Sequence, residues 1–308
     1  MSECRYDGRV AVITGAGRGL GRAYALLLAS RGAKVVVNDY GGSMFGVGSD
    51  AGVAQQVVEE IRTAGGEAVA CADSVGTAEG GKAVIEAALD SFGRVDIVIH
   101  NAGISCRKTI KDMSIDEFRG VLDVHLMGAL HVAHPAFPIM CAAGYGRIIL
   151  TSSIAGLYGE KVMSPYATSK AGLIGLCYAF AHEGAAEGVH CNAIIPAAVT
   201  RLAEGRDTSS FPTMTSEQVA PAVAWLAHES CPLNGELLIS LAGRVAKAFV
   251  VETPGVFQPE WTIEQIGERM DAIANADATL RFAPIPSGFN QHLQYSFAMT
   301  KEPAGTDA

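Results

Sequence analysis

The sequence predicts a doubly wound α/β fold: one parallel sheet of seven strands, helices on both faces, and a C-terminal extension. Three observations predict it. Short runs rich in β-branched residues alternate with longer helical patterns from residue 9 to about 240. Those runs are almost continuously apolar, as strands buried on both faces must be. The first run also opens directly into a glycine-rich turn, TGAGRGLG (14–21), that leads into a helix.

In chain order the strands are RVAVIT (9–14), AKVVVN (33–38), EAVACA (67–72), VDIVIH (95–100), GRIILT (146–151), VHCNAII (189–195) and ELLIS (236–240). Between them the helical patterns fall at about 18–31, 50–65, 77–92, 114–143, 165–187 and 215–228. Ser114 with Glu117, and Thr215 with Gln218, have capping-box spacing and mark two helix starts. In SPYATSK (164–170), Ser164 is placed to cap a helix and Pro165 suits its first position. Four residues are slightly more than one turn, so Tyr166 and Lys170 project from one face. The β-α-β order gives right-handed crossovers and ligands at the carboxyl ends of the strands. The alternation covers residues 1–243. Residues 244–308 hold one helical stretch near 262–275 and read as an extension packing on the domain or on a neighbouring subunit.

Composition narrows the function. The 308 residues are 49% hydrophobic and 18% charged, and no apolar run of about 20 residues lacks polar or glycine punctuation, which argues against a membrane span. A net charge of −9 argues against nucleic-acid partners, though not against a local basic pocket. The N-terminal residues lack the pattern of a signal peptide, and the seven cysteines are odd in number with no C-x-x-C, so a reduced, cytoplasmic protein is expected. His and Cys spacing offers no metal-ligand set.

The glycine turn carries G-x-x-x-G-x-G at Gly15, Gly19 and Gly21. A helix N-terminus behind such a turn presents N–H groups to a pyrophosphate. The second strand ends at Asp39, 24 residues after Gly15, near the distance at which an acid reaches the adenosine ribose. A carboxylate there accepts from ribose hydroxyls and repels a 2′-phosphate, so NAD is favoured over NADP. Arg18, a cation beside the turn, is the residue that would favour NADP instead.

With TGAGRGLG, HNAG (100–103), LTSS (150–153) and YATSK (166–170) in this order, the sequence resembles the short-chain dehydrogenase/reductase family from residue 9 to about 243. More narrowly, VVVNDYGG, YGRIILTSSIAGLYG, HCNAIIP and LAHESC resemble the branch that forms the D-3-hydroxyacyl-CoA dehydrogenase part of peroxisomal multifunctional enzymes. The resemblance implies a Rossmann fold, a Ser153–Tyr166–Lys170 catalytic set, and a homodimer or homotetramer. The broad apolar surface of Leu173, Ile174, Leu176, Cys177 and Phe180 on helix 165–187 also predicts a homo-oligomer. Ser153 is preferred to Ser152 because it lies thirteen residues before Tyr166. Cofactor contacts are implied for Leu20, Asp73, Ser74, Asn101, Ala102, Gly103, Pro196 and Thr200, with Tyr166 and Lys170 on the nicotinamide ribose.

Departures accompany the resemblance. His125 stands where the family has an asparagine whose main chain helps hold a relay water, and His100 replaces the first asparagine of N-N-A-G. Ala197 replaces the glycine after the cofactor-flanking proline, and Thr200 falls one residue early. The expected function is NAD-dependent oxidation of a secondary alcohol, such as a D-3-hydroxyacyl-CoA. Oxidation of a hydroxysteroid and non-catalytic NAD sensing are the alternatives. Arg107, Lys108 and Lys111 form the basic cluster expected to meet CoA phosphates.

Overall fold

The computed structural model describes residues 3–200 and 209–301. The chain divides into two compact units, Met1–Lys247 and Ala248–Ala308.

The first unit is built on one sheet. Its strands are β1 (Val10–Thr14), β2 (Lys34–Asn38), β3 (Glu67–Cys71), β4 (Ile97–His100), β5 (Gly146–Thr151), β6 (Val189–Ala197), β7 (Leu237–Leu241) and β8 (Arg244–Ala248), in the order β3-β2-β1-β4-β5-β6-β7-β8. Strands β1 to β7 pair in parallel. Val10 to Ile13 and Ile97 to Ile99 have no solvent exposure, which is why these runs carry no alternation of polar residues. The strand order reverses between β1 and β4, and the crevice above that point is where doubly wound sheets bind ligands.

Helices α1 (Gly19–Ser30), α2 (Gly52–Thr63) and α8 (Ala220–Ala227) cover one face; α3 (Ala78–Phe92), α5 (Gly128–Ala142) and α7 (Ser164–Gly184) cover the other. Thr77 accepts from Gly80 N to start α3, and Gly93, at φ 74°, ends it in the left-handed region.

The structure corrects four expectations. The sheet has eight strands rather than seven, because β7 turns back through Ala242 and Gly243, at φ 48° and 79°, into β8. Two consecutive positive φ angles make the tight turn that joins antiparallel neighbours. The helix expected over 114–143 is two helices, α4 (Ile115–Leu122) and α5, joined by a π-helical turn over Asp123–Met127. Ser164 is the first residue of α7 rather than its cap, and its hydroxyl faces Met113 Sδ at 3.9 Å. The Thr215–Gln218 capping box forms, but over a 3₁₀ turn that precedes α8. The continuous helical segment Ile115–Ala142 is long and apolar enough to cross a membrane by length and composition, and it packs on α3 and α7.

The second unit holds α9 (Ile263–Glu268), α10 (Met270–Ile273), α11 (Gly288–Met299) and a single bridge between Glu252 and Leu280. Among its described residues only Gly288 is buried.

Candidate active site

The glycine turn is shaped by what a side chain would strike. Gly15 and Gly19 have φ 63° and 52°, and a Cβ on Gly15 would come within 2.8 Å of Ala102 Cα. Asn101 Nδ2 donates to the carbonyls of Thr14 and Gly15 at 3.3 and 3.1 Å, fastening the turn to the end of β4. A Cβ on Gly17 would lie 2.3 Å from Val53 Cγ1 and 2.8 Å from Asp39 Oδ2. The gap left at Gly17 lets Asp39 reach the turn, and Gly17 N donates to Asp39 Oδ2 at 2.9 Å. Gly41 N donates to the other oxygen at 2.8 Å, so the carboxylate is held from both sides.

A cavity of about 260 Å³ lies over this turn. Gly15, Arg18, Gly19, Leu20 and Asp39 form its floor; Asp73, Ser74, Asn101, Ala102 and Gly103 form its far wall. Thr200 closes it, its methyl group 3.3 Å from where a Cβ on Gly19 would stand. Gly21 is buried within the turn instead, and Pro196, Tyr166 and Lys170 stand outside the cavity lining. The free N–H groups at the start of α1 and the glycine floor fit a pyrophosphate, which needs close backbone approach. Residues the sequence did not single out complete the pocket. Asn38 is buried and donates to the carbonyl of Asp73 at 2.9 Å, fixing that wall. Loop 40–49 closes on itself, Ser43 N to Val47 O at 2.9 Å, and Met44 O accepts from Ser105 N at 2.7 Å.

The second part of the site joins β5 to α7. Lys170 is 3% exposed, and its Nζ donates to the carbonyl of Thr151 at 2.5 Å. Its Nζ lies 5.5 Å from the centroid of the Tyr166 ring. Burial pulls its ammonium down to about 7. The return tie comes from Ser152, which donates to the carbonyl of Lys170 at 2.7 Å. Ser153 is half-buried and opens α6 (Ile154–Tyr158), accepting from Ala155 N at 3.2 Å. Gly156 allows α6 to lie on α7, since a Cβ there would sit 2.7 Å from the Lys170 carbonyl carbon. The short helix that Ser153 opens is thereby packed on the turn of α7 that holds Lys170.

A buried histidine network lies between the two parts. Thr14 Oγ1 accepts from Asn101 N and Ala102 N at 3.0 and 3.1 Å, which fills its acceptor capacity. Its proton then points to His100 Nδ1, 3.1 Å away, and His100 Nε2–H donates to the His125 carbonyl at 3.1 Å. Burial holds His100 down to about 3, so it stays neutral. The His125 ring stands perpendicular to that of Tyr166, centroids 5.2 Å apart. Burial first, and the charge of Lys170 second, hold its pKa well below the ordinary histidine value. None of these contacts has a signature in local spacing, because each joins residues at least 20 positions apart in the chain.

Comparison with known proteins was consistent with this geometry. The family model described as short chain dehydrogenase matches residues 9–208. The chain is 46% identical over 296 residues to the peroxisomal multifunctional enzyme type 2 of Drosophila melanogaster, covering 90% of this chain and 49% of that one. It therefore spans about half the length of that relative. A short-chain type dehydrogenase/reductase of Mycobacterium tuberculosis is 40% identical, with 87% of this chain and 94% of that one covered. The solved full-length Drosophila multifunctional enzyme superposes with a TM-score of 0.79 at 37% identity, covering 96% of this chain and 50% of that structure.

Proposed function

Since the chain belongs to the short-chain dehydrogenase family and is an oxidoreductase acting on CH–OH groups, we propose that it oxidises a D-3-hydroxyacyl-CoA to the 3-ketone with NAD⁺. The family uses NAD or NADP. NAD is supported by Asp39, whose two oxygens are fixed by Gly17 and Gly41 where an added 2′-phosphate would meet a carboxylate. The substrate class is supported by the likeness to the multifunctional enzymes.

One observation carries the chemistry: a fully buried lysine ammonium beside a tyrosine ring, anchored to the strand end that bears Ser153. NAD⁺, when bound, supplies the hydride acceptor. Tyr166 removes the hydroxyl proton of the alcohol, and Ser153 donates a hydrogen bond to the same oxygen. A phenol near pKa 10 must fall by about three units to serve at neutral pH, which requires roughly 4 kcal/mol of phenolate stabilisation. The Lys170 ammonium supplies much of this, because its attraction is undiluted by water in a buried site. As the phenolate forms, Lys170 is favoured in its charged state in turn.

Lys108 is ion-paired with Glu117, whose carboxylate also accepts from Ser114 N at 3.0 Å. CoA phosphates meeting the loop after β4 would have to displace that carboxylate, or rest on Lys111, which is exposed. A homo-oligomer built on α7 rests on Ile174 and Leu176, which are half-buried, because Leu173, Cys177 and Phe180 are buried within the chain.

The test is NAD⁺ and NADP⁺ reduction across a panel of D- and L-3-hydroxyacyl-CoAs, hydroxysteroids and short secondary alcohols. Fastest turnover with a D-3-hydroxyacyl-CoA and NAD⁺ is expected. Preference for a steroid would replace the substrate, and no turnover with cofactor binding intact would favour a sensor.

A further inference from the structure

We infer that His125 is a positioning residue for Tyr166: its ring is a wedge, fixed from the side of β4, that sets the plane of the phenol against Lys170. The inference rests on Tyr166 acting as the base in the function proposed above.

The wedge is held on several sides. A Cβ on Gly103 would come within 2.3 Å of His125 Cε1, so the ring fills the hollow that this glycine leaves. Its Nε2 lies 2.8 Å from the carbonyl of Ile104 and 3.0 Å from the amide of the same residue. The backbone beneath it is the π-helical turn, and His100 caps the His125 carbonyl from β4. One of that carbonyl's two lone pairs is therefore occupied by protein.

The ring is costly where it stands. It is 1% exposed, and Nδ1 has no hydrogen-bond partner among the described residues. A buried polar atom left unpaired lowers stability, and that loss is set against the contact Nε2 makes with the Ile104 backbone. What the imidazole supplies is a rigid plane perpendicular to Tyr166, the arrangement aromatic pairs prefer. Among the described residues, the titratable groups that face it are Tyr166 and Lys170 from α7 and His100 from β4, with no carboxylate among them. The Ile104 carbonyl favours an imidazolium, but burial and the charge of Lys170 outweigh it, so the wedge adds no positive charge to compete with Lys170. Tyr166 holds its single hydroxyl at the far end of the ring, where a small tilt becomes a large displacement. A misplacement of about 1 Å at a reacting group costs roughly a hundredfold in rate.

The experiment compares wild type, His125→Asn, His100→Asn and Tyr166→Phe with NAD⁺ and the alcohol that wild type oxidises fastest. His125→Asn is expected to lower kcat roughly 10- to 100-fold, to leave KM for NAD⁺ within about threefold, and to move the rising limb of the kcat pH profile to higher pH. His100→Asn, which loosens the wedge from behind, should move both in the same direction by less. If Tyr166→Phe is inactive while His125→Asn keeps the wild-type kcat and pH limb, the inference is overturned and the proposed function stands. A fall in kcat with an unmoved pH limb overturns it as well. Turnover surviving in Tyr166→Phe would instead sink the function on which it rests. Should His125→Asn not fold, ring-to-ring NOEs in wild type labelled at histidine and tyrosine decide: contact between His125 and Tyr166 that persists on adding NAD⁺ supports the wedge, and its loss overturns it.

Discussion

Ser152 gives its hydroxyl proton to the main-chain carbonyl of Lys170 at 2.7 Å, while its neighbour Ser153 points its oxygen into the start of α6 and stays half-buried. Two adjacent serines thus do different work. Ser153→Ala should lower kcat roughly 10²- to 10³-fold, the usual cost of losing a donor to a reacting oxygen, with a loss of about 1 kcal/mol of stability from the uncapped start of α6. Ser152→Ala should keep most of its turnover and lose about 1–3 kcal/mol of stability, because a buried carbonyl loses its donor. The reverse pattern in kinetics and thermal melts would exchange their roles.

Tyr166→Phe should reduce turnover by about 10²- to 10⁴-fold, the range that general acid–base catalysis supplies. NAD⁺ binding, read by protein fluorescence or calorimetry, should change by no more than about threefold, since Lys170 stays in place.

Lys170→Met should be inactive and yet more stable than wild type at neutral pH. The ammonium falls from 10.5 to about 7 on burial, so between those values the unfolded chain binds a proton that the folded chain does not. Wild type therefore carries the full penalty below pH 7 and loses it as pH rises toward 10.5. At roughly 1.4 kcal/mol per pH unit, Lys170→Met should be on the order of 5 kcal/mol more stable at pH 6, less whatever the freed Thr151 carbonyl costs. Denaturant melts from pH 6 to 10 should show the gap closing; a gap that widens would contradict the burial argument.

Asp39→Ala should weaken NAD⁺ more than NADP⁺, narrowing or reversing the preference. Because Asp39 also holds Gly17 and Gly41, affinity for both cofactors should fall somewhat. Unchanged selectivity in paired titrations would shift the discrimination to Arg18.

His100→Asn should also flatten the acid side of the stability curve. Its folded pKa of about 3 lies below the ordinary 6.5, so wild type holds the full contribution above pH 6.5 and loses it as pH falls toward 3. Denaturation at pH 4 and pH 7 should differ less in the variant.

The inner parallel strands were readable because a strand buried on both faces is almost continuously apolar, as Val35 to Val37 are, while the edge strand β3 is partly exposed. The turn at 14–21 and the placing of Tyr166 and Lys170 on one helix face were readable because local geometry dictates them, whereas Ser153 was reached through the family resemblance. The π-helical turn at His125 was not, since one extra residue in a turn leaves the apolar pattern of 114–143 nearly intact. Nor was the fit of Gly103 to His125 or of Asn38 to Asp73, which exist only once distant strand ends meet. The apolar stripe of α7 gave a misleading picture of free surface, because Leu173 and Cys177 are wholly covered by the chain's own sheet and helices.

The turn between β7 and β8 holds a handle for engineering. Ala242 sits at φ 48°, a region where a Cβ crowds the following carbonyl by roughly 1–2 kcal/mol, whereas asparagine and glycine enter it readily. Ala242→Asn or Ala242→Gly should raise the melting temperature by a few degrees without touching turnover. Such a variant would make a sturdier parent in which to place the costlier substitutions at Ser152 and His125.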